Sequence, residues 1–205
     1  MTDLEIRCHC GAFKAIAHDV SGATGNRCVC YCDDCQAFAR FLERELEILD
    51  RNGGTEIFQM SPARVEITRG TEHLACMRLS PGGTLRWYTA CCNTPIGNTL
   101  PSPALPFIGL IENCIDFPDG VSEEEVIGPV RARIHGRFAT GDRASLDAYP
   151  KVPVGLLLRF LRLLAGWRLS GAHRRTPFHK PGSGEPVAEP LVLSLRDRQA
   201  LNQRA

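Results

Sequence analysis

Cys28-Val29-Cys30-Tyr31-Cys32-Asp33-Asp34-Cys35 is the stretch on which the reading of this chain turns. Four thiols stand in eight residues, three alternating along an extended run and the last two forming a Cys-x-x-Cys pair. Structural cysteines in cores are usually scattered singly, whereas dense ones hold a metal or a disulfide. A second cluster, Cys8-His9-Cys10-Gly11, lies near the N-terminus, and a third, Cys91-Cys92, lies far downstream. The three are expected to converge on zinc, with one ion keeping an open coordination position for chemistry.

Residues 3–8 alternate polar and apolar, as do Phe13 to His18, so the two read as a hairpin whose turn carries Cys8 and Cys10. After Cys35, Gln36 to Leu42 is helix-like, with Asp33 or Asp34 as its expected N-terminal cap. The central Cys-x-x-Cys then sits at a strand-to-helix junction, where backbone N–H groups and the helix dipole favour thiolate. Short strands are expected at Thr55–Met60, Arg64–Thr68, Leu74–Leu79 and Thr84–Thr89, with a further one at Phe107–Ile111. Ser61-Pro62, Arg69-Gly70 and Pro81-Gly82-Gly83 punctuate the first four, the pattern of an antiparallel β unit.

Beyond residue 114 the character changes. Acidic residues gather between 116 and 125, and 131–180 is rich in arginine. Val154–Leu169 is the strongest helix candidate in the chain, with Arg159, Arg162 and Arg168 solvated and its leucines expected to pack on the β unit. The expected fold is therefore mainly β: a zinc-binding domain of short antiparallel strands over 1–114, with a partly helical C-terminal extension over 115–205 packed on it.

At 205 residues, 43% apolar and 23% charged, the composition is that of an ordinary globular protein. A formal net charge of +1 argues against a dedicated nucleic-acid binder. The N-terminus lacks the apolar core of a signal peptide and no window reaches the roughly 18–20 apolar residues of a membrane span, so a cytoplasmic protein with no membrane partner is expected. In a reducing compartment ten cysteines favour metal over a disulfide framework.

Structural zinc takes four N or S ligands, commonly as two close pairs from distant parts of a chain. Cys8 and Cys10 make one such pair; Cys92 is the stronger candidate for the other, with Cys91 joining only if the backbone kinks between neighbours. Cys30, Cys32 and Cys35 form a triplet, and three thiolates with a fourth position left to water or substrate make a catalytic arrangement. The blander alternative is a structural site completed by Cys28 or a histidine. A redox pair of Cys32 and Cys35 is weakened by the absence of a surrounding βαβ pattern. Cys76 and Cys114 read as core residues, Trp87 and Tyr88 as packing, and His73, His135, His173 and His179 have no partner at ligand spacing.

These residues resemble the glutathione-dependent formaldehyde-activating enzymes, which share their domain with centromere protein V. The matching stretches are Cys8 to Gly11, Cys30 to Gln36 and Cys92-Asn93-Thr94-Pro95-Ile96-Gly97, in the family's order. The resemblance covers about the first half of the chain. It implies a β-tent fold, a catalytic zinc on Cys30, Cys32 and Cys35, and a structural zinc on the N-terminal pair with a late Cys-x-x-Cys. It further implies formation or cleavage of a carbon–sulfur bond, as in S-hydroxymethylglutathione. Tyr31 stands where the family usually has His, between two ligands. Thr89 replaces the first cysteine of the late motif, so the structural site is either rebuilt with Cys91 or missing.

The function expected is that of a zinc-dependent carbon–sulfur lyase acting on a small thiol or thiol–aldehyde adduct, with one zinc at the triplet and a second if the late motif still supplies ligands. The alternative is a non-catalytic zinc module that presents a surface to a protein partner.

Overall fold

The computed structural model describes residues 2–143 and 145–203. Strands β1 (Thr2–Arg7) and β2 (Lys14–Val20) form the expected hairpin, with Leu4 opposite Ala17 and Ile6 opposite Ala15. Gly11 closes its turn at φ +74° and donates its N–H to the Cys8 carbonyl at 2.9 Å, a left-handed conformation that glycine adopts at little cost.

Strand β3 (Asn26–Cys30) leads into α1 (Asp33–Phe41), followed by the single turn α2 (Glu45–Ile48). Then come β4 (Thr55–Met60), β5 (Val65–Arg69), β6 (Leu74–Arg78), β7 (Leu85–Thr89), β8 (Pro95–Thr99), β9 (Ile108–Ile111) and β10 (Ile115–Asp116). The chain closes with α3 (Glu123–Ile127), β11 (Ala132–Ile134), α4 (Val154–Leu169), β12 (Leu191–Val192) and α5 (Leu195–Gln203). The mainly β architecture expected from the short punctuated strands is observed, with a C-terminal helical part.

Two sheets share these strands. One has four, in the order β10-β1-β2-β5; the other has eight, in the order β11-β3-β4-β9-β8-β7-β6-β12. Leu4, Ile6, Phe13 and Ala15 of the small sheet meet Phe58, Leu85, Trp87, Ile96 and Leu110 of the large one in the main core. On the large sheet's other face, Phe38 and Leu42 of α1 cover Met77, Leu79 and Ile111. Covered on both sides, β3, β8 and β9 are buried along their whole length, the polar Asn26, Arg27, Asn98 and Thr99 included. Gly97 lets β8 and β9 approach closely: a Cβ there would lie 2.6 Å from the Gly109 carbonyl oxygen.

Residues beyond 114 do not stand apart from this body. β10 extends the small sheet, while β11 and β12 pair in parallel with β3 and β6 at the two ends of the large one. α4 has the expected bounds, yet only Leu156 and Trp167 of its side chains are buried. The expectation that its leucines pack on the β unit holds for Leu156, which lies with Ile57, Ala132 and Ile134, and is corrected for Leu157, Leu158, Leu161 and Leu169, which are exposed.

The junction of α3 with the sheet is ionic. Buried Arg27 of β3 bonds Glu56 of β4 and Glu123 of α3, and its Nη1 donates to the Gly128 carbonyl at 3.4 Å. Glu112 stands beside them. Burial, then the charges of Glu123 and Glu56, push its carboxyl up to about 7, against the opposing pull of Arg27. An acid that holds its proton more tightly when folded contributes stability at low pH, and that contribution is lost as pH rises from about 4.5 through about 7. Glu112→Gln is therefore expected to flatten the fall in unfolding free energy between pH 5 and 8, gaining on the order of 1–2 kcal/mol over wild type at pH 8 after solvent screening. Urea titrations of both proteins at the two pH values measure it.

Candidate metal centres

Cys8 directly follows β1 and Cys10 lies in the hairpin's turn, while Cys91 and Cys92 lie in the turn after β7. That turn is tight: Asn93 N–H donates to the Thr89 carbonyl at 2.8 Å, Thr89 N–H to the Thr94 carbonyl at 2.9 Å, and Asn93 takes φ +55°. The kink lets adjacent cysteines aim at one point. Sulfur separations are 3.6 Å for Cys8–Cys10, 3.8 Å for Cys8–Cys91, 3.4 Å for Cys10–Cys91 and 3.8 Å for Cys91–Cys92. All four cysteines are free, the sulfurs standing well beyond the roughly 2.05 Å of a disulfide. The four could hold one metal ion.

Other groups converge on these sulfurs. Phe13 N–H donates to Cys8 Sγ at 3.2 Å. Thr94 and Thr89 hydroxyls stand 3.2 and 3.5 Å from Cys92 Sγ. Burial pushes the Cys92 thiol up, but these hydroxyls and the contacts with Cys10 override it and bring it down to about 5. Cys91 moves the other way, up to about 12, through desolvation and the hydrogen bond with Cys10. Thr89 thus serves a neighbouring sulfur, and Cys91 stands among the four thiols. His9 is exposed and only its backbone N–H takes part, donating to Thr94 Oγ1 at 2.9 Å.

The second group forms where β3 runs into α1. Cys30 is the last residue of β3, Cys32 is the N-cap of α1 and Cys35 lies in its first turn. Their sulfurs all lie within 4.8 Å of one another, so the three could also hold a metal ion. Cys32 Sγ accepts the Cys35 N–H at 3.4 Å, so the cap expected from Asp33 or Asp34 is a thiol instead. Strand alternation sends Tyr31 to the opposite side, where its buried hydroxyl donates to Asp50 Oδ2 at 2.8 Å. Among the described residues, no fourth Cys, His, Asp or Glu ligand atom joins this trio at that spacing, Cys28 included. Cys28 is buried in the same apolar cluster, its thiol pushed up to about 12 chiefly by desolvation.

A buried cation stands beside the trio. Arg86 of β7 is 5% exposed; its Nη1 donates to Asn98 Oδ1 at 3.3 Å and its guanidinium lies 5.5 Å over the Phe38 ring. Hydrogen bonds from Cys30 and Cys32, together with Arg86, hold the Cys35 thiol well below its usual value, while Cys30 is pushed up by the same sulfur contacts and by burial. Arg86 reaches a carboxylate only at 3.8 Å, on Asp34, which Arg198 of α5 engages at 2.7 Å. Asp34 is therefore an anchor shared by two arginines. Ile57, Ala132, Ile134 and Leu156 close the inner side of the trio, and Cys32 is its one partly exposed member.

The remaining expectations divide plainly. Cys76 and Cys114 are buried core residues. Trp87 is buried against Phe178 and donates to Thr99 Oγ1 at 2.9 Å, and Tyr88 packs on Phe38 and Phe41. His73, His135, His173 and His179 join neither thiol group. Sequence reading missed Arg86; its signal was a single charge in the apolar run Leu85-Arg86-Trp87-Tyr88.

Two ions per chain are expected by elemental analysis, falling to one when Cys10 and Cys91 are both changed to serine and, separately, to one in Cys30→Ser. Groups that orient or balance metal ligands from behind are typically worth about 10–100-fold in metal affinity. Arg86→Met is accordingly expected to weaken the trio's ion by about that factor in chelator competition, with Arg86→Lys recovering part of the loss and the four-thiol ion unchanged.

No curated protein matches this chain. A crystal structure of a Rhodobacter sphaeroides protein is 19% identical, with 62% of this chain and 96% of that one covered, at a TM-score of 0.38. A family model matches residues 2–190, a span that takes in both thiol groups and Arg86. The chain belongs to the family described as a family of unknown function (DUF6151).

Proposed function

We propose that Cys30, Cys32 and Cys35 hold a zinc ion with one ligand position left to the substrate, and that the protein is a zinc-dependent carbon–sulfur lyase acting on a small thiol–aldehyde adduct. The observation that carries this is a contrast within one molecule: four sulfurs close one group, while three make up the other among the described residues. Thiolates at about 2.3 Å from a tetrahedral ion stand about 3.8 Å apart, and the four-sulfur group spans 3.4–3.8 Å where measured. An all-sulfur donor set suits zinc among the common divalent ions. The resemblance of the three cysteine motifs to the formaldehyde-activating enzymes supports the same reading.

Bound at the trio, zinc supplies a Lewis-acid position beside which an outside thiol is held as thiolate. The chain's own residues set the conditions. Three thiolates on a divalent ion leave one negative charge, and Arg86 balances it from the Cys35 side. Ile134 and Leu156 keep water from the inner side, which directs approach past Cys32. The reaction class joins the thiol sulfur to an aldehyde carbon, the carbonyl π pair moving to oxygen, which takes a proton; cleavage is the reverse. No oxidant or reductant is consumed.

A non-catalytic zinc module is the second reading, favoured by the burial of Cys30 and Cys35. Screening thiol and aldehyde pairs for adduct formation separates the two. Cys32→Ser is expected to lose adduct formation by about 100-fold or more while keeping a urea midpoint near that of wild type. Unfolding as severe as that of Cys8→Ser, or no adduct from any pair with the zinc-loaded protein, assigns the trio to the scaffold.

A further inference from the structure

Helix α4 is held to the body by one side only. Leu156 and Trp167 are buried, Phe160 meets Phe107 edge-on with ring centroids 5.3 Å apart, and Arg159 donates to Asn26 Oδ1 at 2.6 Å and to the carbonyls of Gly22 and Gly25 at 2.8 and 3.0 Å. These contacts fix the rotation of the helix about its axis. The opposite side, at spacings of three and four residues, is Val154, Leu157 or Leu158, Leu161, Ala165 and Leu169. There Val154 is 71% exposed, Leu158 61%, Leu161 49% and Leu169 88%. Tyr149 and Val152, just before the helix, are exposed as well. Aliphatic side chains set in one continuous row on the solvent side, and not scattered singly, are the form that an interaction surface takes.

Charge identifies that partner. Residues 148–184 contain seven lysines and arginines and no aspartate or glutamate, although the whole chain is nearly neutral. Arg162 flanks the apolar stripe on one side and Arg168 on the other, by their positions on a helix of about 100° per residue. The ion pairs formed elsewhere engage Arg7, Lys14, Arg27, Arg44, Arg86, Lys180 and Arg198. Among the described residues Arg162, Arg168, Arg174 and Arg175 form no ion pair with a carboxylate, Arg168 standing 2.9 Å from the His173 ring instead. An aliphatic stripe bordered by unpaired arginines is the pattern of a helix lying in the plane of an anionic membrane surface.

We propose that α4 docks the protein on an anionic lipid surface, Val154, Leu157, Leu158, Leu161 and Leu169 entering the headgroup–acyl boundary and Arg162 and Arg168 meeting lipid phosphates. The helix does not span: no helix among the described residues is long and apolar enough to cross a membrane. A second copy fits less well. Sixteen residues make a rod about 24 Å long, whose face of about 10 Å width would bury roughly 500 Å² in a pair, short of the roughly 1,200 Å² of a stable interface. Two such helices would also bring like charges together. A nucleic-acid backbone would use the arginines and leave the leucines in water. The proposal is independent of the metal sites.

Co-sedimentation of the full chain with phosphatidylcholine vesicles, with or without phosphatidylglycerol, tests it. Wild type is expected to bind the anionic vesicles and to bind neutral ones at least about tenfold more weakly. Leu158→Glu with Leu161→Glu, both outward-facing, is expected to lose at least about tenfold on anionic vesicles. Arg162→Gln with Arg168→Gln is expected to lose severalfold and to show a weaker salt dependence. Circular dichroism and metal content verify that each variant is folded. Failure of wild type to bind anionic vesicles, or undiminished binding by the folded leucine variant, overturns the proposal. So does a dimer in sedimentation velocity that the leucine substitutions split, which would give the face to a second copy.

Discussion

Crowding of sulfur is the constraint on which the rest of this structure depends. In two places thiols meet within 4.8 Å of one another, four from two distant turns and three from a single strand-to-helix junction, and the backbone around them is shaped to hold the meeting. Gly11 and Asn93 take left-handed conformations in the two turns that bring Cys10 and Cys91 together. Cys32 stands in as the cap of α1, so the start of a helix is also a member of the trio. Each turn orders few residues for the number of sulfurs it presents, and the sheets beneath hold the turns in place through the main core.

The two groups differ in their surroundings as well as in number. Cys10 and Cys91 lie at the surface, where a thiol set gains little from apolar walls. Cys30 and Cys35 are buried, and a charge there is costly unless it is paired. Arg86 answers that need from β7, with Asp34 and Arg198 behind it. The same arginine connects the trio to the far C-terminus, since α5 reaches Asp34 with Arg198 and accepts from Arg40 at the Leu201 carbonyl, 3.0 Å away.

Much of this was legible from residue order, for a physical reason: it was local. The hairpin, the strand list and the Cys30–Cys35 spacing depend on neighbours a few positions apart, and those carry through to β1, β2, β3 and α1. Non-local features were not legible. Nothing in Arg86 itself says that it faces Cys35, and β11 and Leu156 become walls of the trio only through pairing and packing over long separations. Cys91 could be admitted to its group only once the Thr89–Thr94 turn was seen to kink. In α4 the periodicity showed a helix, but leucines on every side hid which side faces inward.

The margins of the eight-stranded sheet have a consequence for how the chain is made. Both outermost strands, β11 and β12, come from the C-terminal part and run parallel to partners roughly a hundred residues upstream. As a nascent chain leaves the ribosome, one edge of β3 therefore waits with unpaired amides and carbonyls until residues 132–134 are made, and one edge of β6 until residues 191–192. β3 is also the strand that brings Cys30 to the trio, so the edge beside that thiol is closed by a strand made about a hundred residues later.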